Sequence, residues 1–182
     1  MAHAGVRFIE NKGQWHDQVR FKASIPGGDV YVLKNKLKYV FYEKGYHDHD
    51  GIFEDHGPAL RQDAGLGNEK LLHVVDLEFI GASLSSKAVG THELPGQLNY
   101  FKGLDKDRWA SGIRSFSGLE IKDMYKGIDF VLYASAGGIK YDFIVEPGAD
   151  PEQIKMKYEG QNELKIHDGK VVVGTAHGYF FE

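Results

Sequence analysis

The sequence contains no cysteine among its 182 residues. Disulfide bonds, thiolate nucleophiles and cysteine-based zinc sites are therefore excluded. An excess of basic charge is missing too, because 22 lysines and arginines are outnumbered by 26 aspartates and glutamates, which gives a net charge of -4. Such a chain has no basic field with which to hold a phosphate backbone, so we expect no nucleic-acid partner.

Long apolar runs are absent as well. No stretch approaches the roughly 20 residues that a membrane-spanning helix needs, so we expect no transmembrane segment in this chain. Residues 1–5 have neither the basic nor the hydrophobic part of a signal peptide. We interpret them as a start codon with a short cloning remnant ahead of a mature N-terminus. The apolar end at 179–182 suggests a piece cut from a longer protein.

The sequence also lacks the common catalytic signatures. It has no Gly-x-Ser-x-Gly elbow, no His-Glu-x-x-His and no Gly-x-x-x-x-Gly-Lys-Ser/Thr loop. No motif in the sequence therefore supports nucleophilic catalysis or nucleotide binding, and we expect no cofactor. Helices are nearly missing, since the longest candidate is about one turn at 151–153, with Asp150 as its N-cap and Pro151 in first position. A parallel α/β fold needs longer crossover helices.

What the sequence does contain is a 42% hydrophobic and 13% aromatic composition, arranged in short β-type runs. Turn signals recur roughly every 8 to 12 residues. The pattern predicts an all-β, antiparallel β-sandwich with very little helix. We expect a single module over 6–182, with two lobes divided near 81–96 as the alternative, and a long surface loop inserted at 43–70.

Two stretches give finer predictions. In the strand at 71–80, Leu72 and Val74 are expected to point inward, followed by Leu77 and Phe79 after a change of parity and a bulge near Asp76. After the central hairpin described next, three short strands are expected at 154–158, 163–167 and 170–174.

The stretch 127–151 is the best-defined local element, a β-hairpin with its exit loop. Its turn at 135–138 favours pairing of Ala134 with Ile139. That register places four aromatic or aliphatic residues on one buried face: Phe130, Leu132, Tyr141 and Phe143.

The same register places two carboxylates near each other on the opposite face. Asp142 lies diagonal to Asp129 at roughly 7 to 8 Å, a separation that overlaps the range of inverting glycosidases. Acid–base catalysis by this pair is one interpretation, and a solvated strand face with ordinary charges is the other. Asn99 and Asp142 are also the polar residues that we expect to be buried and hydrogen-bonded.

Two further groups of residues are candidate ligand sites. His47, His49 and His56 lie in an Asp-rich stretch and offer imidazole and carboxylate ligands for a metal, although the same residues in a loop are simply solvated. Trp15, Tyr100 and Trp109 offer an aromatic platform for a sugar ring, and the alternative is that they are core residues.

Several motifs occur in a fixed order along the chain: FIENKGQW, PGGDVYV, LPGQLNYFKG with Trp109 soon after, YKGIDFVLY, KYDFIVEPGADP and IKMKYEG. In this order they resemble the N-terminal domain of unknown function of large secreted bacterial proteins, mostly from the Bacteroidetes. The resemblance extends from Phe8 to about Gly178. Those proteins often carry β-propeller-type repeats, immunoglobulin-like modules and a C-terminal sorting domain for gliding motility or type IX secretion.

The resemblance implies a location more than a chemistry, since it carries over no catalytic residue. It implies an exported protein at the cell surface or outside the cell, whose partners are other domains of the same protein and, as alternatives, glycans or surface proteins. We therefore expect a non-catalytic module that serves adhesion, assembly or display. The alternative is a carbohydrate-binding or glycan-processing β-sandwich domain.

Overall fold

The computed structural model describes residues 5–43, 72–101, 106, 109–135 and 138–182. Over these ranges the chain folds almost entirely into antiparallel strands, which confirms the predicted all-β class. The predicted helical turn is present as a 3-10 turn at Pro151–Gln153, where the Asp150 side chain accepts a hydrogen bond from the backbone N–H of Glu152. Pro151 fits this first position because its fixed φ suits a helix start and its missing N–H is not needed there.

The described residues form fifteen strands. The first eight are β1 (Phe8–Glu10), β2 (Phe21–Ile25), β3 (Gly28–Val32), β4 (Lys36–Tyr42), β5 (Leu72–Phe79), β6 (Ala88–Glu93), β7 (Leu98–Tyr100) and β8 (Ala110–Ile113). The other seven are β9 (Ser115–Tyr125), β10 (Ile128–Ser135), β11 (Gly138–Val145), β12 (Met156–Glu159), β13 (Glu163–His167), β14 (Lys170–Thr175) and β15 (Gly178–Phe181).

Most strands belong to one large sheet of order β11-β10-β9-β1-β2-β3-β4-β5-β12, with β6 also paired to β9. Two small sheets accompany it, β13-β14-β15 and β7-β8. Every one of these pairings is antiparallel. Connections of two or three residues join six of these twelve pairs, and an antiparallel pair needs no crossover helix.

The large sheet curls so that its two ends face each other across one core. Phe79 of β5 packs against Phe130 of β10 at 4.8 Å and against Phe143 of β11 at 6.1 Å between ring centroids. These strands lie far apart in the strand order. Their inner faces can meet only because the sheet bends back over itself, which gives a sandwich-like arrangement.

The central hairpin has the register that the sequence predicts. Ala134 pairs with Ile139, and this pair is one of eight consecutive pairs without a bulge. Phe130 and Leu132 are fully buried, and the other two residues of the predicted core face pack against the same core.

The strand β5 differs from its prediction. Its buried residues are Val75, Leu77 and Phe79, so strict alternation holds and Leu72 and Val74 are only half-buried. The predicted bulge near Asp76 is wrong, because β4 and β12 pair with β5 on both sides in continuous register. A bulge would break one of these two ladders.

The three-stranded sheet β13-β14-β15 packs against the large sheet through side chains. Val173 is fully buried, and the Phe180 ring lies 5.0 Å from Tyr39 and 5.3 Å from Phe41 between centroids. The chain enters this sheet at Gly160, whose φ is +88° and whose missing side chain leaves room for the carbonyl oxygen of Val74. Glycine alone fits such a close approach at positive φ.

Candidate functional site

A cavity of about 1080 Å³ lies between β4, β11, β15 and the turn that joins β2 to β3. Its volume is at the upper end of typical ligand pockets. We call it the aromatic groove, because eight aromatic side chains line it: Tyr39, Phe41, Tyr42, Tyr133, Tyr141, Tyr179, Phe180 and Phe181.

The aromatic rings divide into a packed floor and an exposed wall. Tyr39 and Phe41 of β4 are stacked with their planes 5° apart, and Phe180 covers both. The faces of these three rings contact one another and are therefore not available to a ligand. Tyr179 and Phe181 are 61% and 62% exposed, and the Lys165 ammonium lies 5.5 Å from the centroid of the Tyr179 ring. The Phe181 ring and the uncovered part of Tyr179 therefore provide the ring surface that a ligand can contact.

The side-chain carboxylate of Glu182 is held at the groove by three tyrosines. The Tyr39 hydroxyl donates to Oε1 at 3.1 Å, the Tyr141 hydroxyl donates to Oε2 at 2.6 Å, and the Tyr158 hydroxyl donates to the same Oε2. The pKa of each tyrosine is raised, first by burial and then by the negative charge of Glu182. The tyrosines therefore stay protonated at neutral pH and occupy the oxygens that a general base would need free.

The rim of the groove carries charged side chains. Lys140 of β11 and Lys170 of β14 line it and form no salt bridge with another described residue. Asp142 is exposed and accepts a hydrogen bond from Tyr133, which raises the pKa of Tyr133. The rim therefore carries two ammonium groups without a salt-bridge partner among the described residues, and the Asp142 carboxylate lies on the same rim.

The three aromatic residues predicted from the sequence lie outside the aromatic groove. Trp15 is 5% exposed, and its ring meets Tyr100 edge-on at 5.5 Å. Trp109 is 42% exposed and meets Phe101 edge-on at 5.7 Å. The structure therefore brings Trp15 together with Tyr100 and Trp109 together with Phe101.

The predicted carboxylate pair occupies the diagonal positions that the register gives, because Asp142 lies opposite Val131. Asp129 forms a salt bridge with Lys122 at 2.6 Å and accepts a hydrogen bond from the backbone N–H of Asp123 at 2.8 Å. The hydrogen bond from Lys122 is the main cause that lowers the pKa of Asp129. A glycosidase acid needs its pKa raised, so Asp129 is shifted the wrong way for that role.

The predicted metal ligands His47, His49 and His56 lie outside the described residues. Within the described ranges, no group of three or more histidine, aspartate or glutamate side chains is arranged to hold a metal ion. The metal hypothesis for these three histidines therefore stays a prediction, and so does the surface loop predicted at 43–70, nearly all of which lies outside the described residues.

The prediction that Asn99 and Asp142 are buried is wrong, since both are exposed. Asn99 accepts a hydrogen bond from the backbone N–H of Gly112 at 3.0 Å, but it lies on the small β7-β8 sheet, away from the core. Asp142 lies on the outward face of an edge strand. The buried polar residues are instead Gln14, Asp29 and Ser115.

The residues of β15, which supply the exposed wall of the groove, were not predicted as a strand from the sequence. Residues 179–181 are all aromatic, so they do not show the alternation of apolar and polar residues that is typical of a half-buried strand. The preceding Ala-His-Gly at 176–178 is the signal that could have revealed a hairpin, because Gly178 has a φ of +133° in that turn.

The fold and the groove define an all-β domain of antiparallel strands with an aromatic, carboxylate-containing cleft. No helix among the described residues is long and apolar enough to cross a membrane. The chain belongs to the family described as Domain of unknown function (DUF7948), whose model matches residues 8–182. No curated protein and no solved structure matches this chain.

Proposed function

We propose that this domain is a non-catalytic binding module of an exported multidomain protein, and that it serves adhesion, assembly or display at the cell surface or outside the cell. The observation that carries the proposal is the aromatic groove. Its exposed rings, Tyr179 and Phe181, offer contact area at low entropic cost. The Glu182 carboxylate is held by three tyrosine hydroxyls, which suits a fixed binding surface better than proton transfer.

The cellular context of the proposal comes from the resemblance of the ordered motifs. Large secreted proteins of the Bacteroidetes combine such an N-terminal domain with β-propeller-type repeats and a sorting domain for gliding motility or type IX secretion. We infer the same context for this chain, with other domains of its parent protein as its nearest partners.

A surface-exposure assay tests this proposal. The full-length protein carries an epitope tag and is followed in intact cells by antibody labelling and by external protease. We expect the wild type and a Tyr179→Ala/Phe181→Ala variant to be equally exposed, while cell adhesion or surface assembly is lost in the variant. Retention of the protein in the cytoplasm, or equal function of both forms, would contradict the proposal.

Glycan binding is the second candidate function, and the exposed rings of the groove favour it because sugar faces stack on aromatic rings. A glycan array with the purified domain tests it, with and without added calcium and zinc. Loss of a specific signal in Tyr179→Ala would place the sugar in the groove. Loss in Trp109→Ala, with Tyr179→Ala unaffected, would instead support the platform predicted from the sequence.

A further inference from the structure

We propose that the aromatic groove takes an extended polypeptide segment, which adds as a new strand to the free edge of β11. The inference rests on the proposed function, since it names the ligand of that binding site. Four features of the structure support this inference: the residues that line the groove, the direction of their backbone groups, the regular pairing of β11, and the charged side chains beside β11.

The groove follows strand edges and not strand faces. Consecutive residues of β11, at 138–142, line it, and so do consecutive residues at 178–182 along β15. Successive side chains of a strand point to opposite faces, so a pocket on one face would touch only alternate residues. Because the groove touches consecutive residues of each strand, and not only every second one, it runs along the edges of the two strands.

The backbone groups along these edges point into the groove. The N–H of Glu146 donates to the carbonyl of Gly127 at 3.0 Å, toward β10, so every second residue before Glu146 also pairs with β10. The residues between them, Ile139, Tyr141 and Phe143, direct their backbone groups away from β10. No carbonyl group of a described residue accepts a hydrogen bond from the backbone N–H groups of these three, since β10 is the only described strand that pairs with β11. Ile139 and Tyr141 line the groove.

The last strand shows the same arrangement from the other side. Glu182 and Val171 exchange two backbone hydrogen bonds of 2.9 Å, so β15 uses the backbone groups of Glu182 and of alternate residues before it to pair with β14. Tyr179 and Phe181 therefore turn their N–H and C=O groups outward. The groove thus has a free strand edge on each side.

The edge of β11 is also unusually regular for a free edge. Natural edges are commonly blunted by proline, by bulges or by very short strands. β11 has eight residues in continuous register with β10 and no proline. The neighbouring pair β9-β10 does shift register, between Ile128 and Phe130. A straight row of unpaired backbone groups is what strand addition needs.

The side chains at the groove indicate what kind of segment fits. A five-residue strand is roughly 17 Å long, and its alternate side chains reach opposite sides. One set would meet the exposed rings of Tyr179 and Phe181, which favours apolar residues. Lys140 and Lys170 favour a carboxylate at the rim. The occupant is therefore a short extended peptide with alternating apolar residues and an acidic residue among the others.

A displayed library of random linear decapeptides is the probe. Peptides selected on the wild-type domain are measured by calorimetry against two variants at one position. Ile139→Pro removes an outward N–H that the β10 ladder does not use, which an edge strand tolerates. Ile139→Ala trims the same side chain and keeps the N–H. We expect binding to the proline variant to be at least about tenfold weaker than binding to the alanine variant, because the lost N–H is the chief difference between them.

Hydrogen exchange on the wild-type complex provides a second readout that needs no variant. Bound peptide should protect the amides of Ile139, Tyr141 and Phe143. Failure to select any peptide, equal binding by both variants, or protection elsewhere would overturn the inference. So would glycan binding at the groove alone, or pairing of β11 with a second copy of the chain. Loss of surface exposure, in contrast, would overturn the proposed function and leave the peptide result unaffected.

Discussion

Tyr141 of the edge strand β11 donates a hydrogen bond of 2.6 Å to the carboxylate of Glu182, 41 residues further along the chain. The two residues belong to different sheets, since Glu182 directly follows β15. Tyr39 of β4 and Tyr158 of β12 donate to the same carboxylate. A single acidic side chain therefore connects three strands of the large sheet to the small one.

Removing this carboxylate should destabilise the domain. Glu182→Ala leaves the hydroxyls of Tyr39, Tyr141 and Tyr158 without their shared acceptor, and we expect a loss of about 3 kcal/mol in the free energy of unfolding. Urea denaturation followed by fluorescence measures it. Glu182→Gln keeps one acceptor oxygen and should lose less. Glu159→Ala, which removes an exposed carboxylate paired with Lys157, is the control and should leave the midpoint nearly unchanged.

The same tyrosines predict a loss of stability in alkaline solution. The pKa values of Tyr39, Tyr141 and Tyr158 are raised in the folded protein, by burial first. An unfolded tyrosine releases its proton near pH 10, so above that pH the unfolded state binds fewer protons and stability falls. Melting temperatures between pH 8 and 11.5 should show this decline. A Tyr141→Phe variant should have a shallower decline, and an equal slope would contradict the assignment.

From the environment of His73 we expect a second loss of stability, at acidic pH. His73 of β5 accepts a hydrogen bond at Nδ1 from the backbone N–H of Ala176, and its pKa is lowered, mainly by burial. The contribution of neutral His73 is therefore present above about pH 6.5 and is lost as the pH falls through the lowered folded pKa.

Unfolding midpoints measured from pH 8 to 5 check this expectation. His73→Gln keeps an acceptor that does not titrate and should flatten the curve. His16→Gln removes an exposed histidine and serves as the matched control. Identical pH dependence in the wild type and in the His73 variant would refute the role of this residue.

The buried carboxylate of Asp29 predicts a strong mutational effect. Lys22 lies 3.1 Å from Oδ2, Ser24 donates to Oδ1 at 2.7 Å, and Tyr42 also donates to Oδ2. Asp29→Ala leaves the Lys22 ammonium largely buried and unpaired, so we expect a loss of about 3 to 5 kcal/mol.

A double variant distinguishes the destabilisation caused by an unpaired buried charge from the stabilisation that the Lys22–Asp29 ion pair itself contributes. Lys22→Met/Asp29→Leu removes both charges and should be less destabilised than Asp29→Ala, because no buried charge is left unpaired. Denaturant titration of the three proteins gives the comparison. A double variant that is less stable than the single one would show that the pair itself is strongly stabilising.

The free edge of β11 predicts an alternating pattern of hydrogen exchange in the isolated domain. Lys140 and Asp142 direct their N–H groups to β10, whereas those of Ile139 and Tyr141 point away from it. We expect exchange at least about tenfold faster at the latter two. Amide-resolved exchange by NMR measures this. Uniform protection along the strand would show that the edge is already covered.

The central hairpin shows what sequence can predict. Its two strands are separated by a short turn, so side-chain alternation and turn length together determine the pairing of Ala134 with Ile139. The turn at Pro151–Gln153 was predictable for a similar reason, because its cap and its proline are neighbours in sequence. Both elements depend on interactions within a few residues.

The groove shows what sequence cannot predict. Its carboxylate and tyrosines come from β4, β11, β12 and the residue after β15, which only the curl of the sheet brings together. The prediction that Val74 of β5 points inward was wrong for a different reason. Val74 and Val75 are both apolar, so the sequence alone does not decide which of them faces the core. Pairing with β4 and β12 selects Val75.

The three-stranded sheet β13-β14-β15 shares no strand ladder with the large sheet. Side chains hold it in place, above all Phe180 on Tyr39 and the Glu182 carboxylate. Such an element can detach as a cooperative unit at a free-energy cost below that of global unfolding. A ligand that bridges β11 and β15 would bind only the closed form and suppress this opening. Occupancy of the groove and protection of the small sheet against proteolysis are therefore thermodynamically linked.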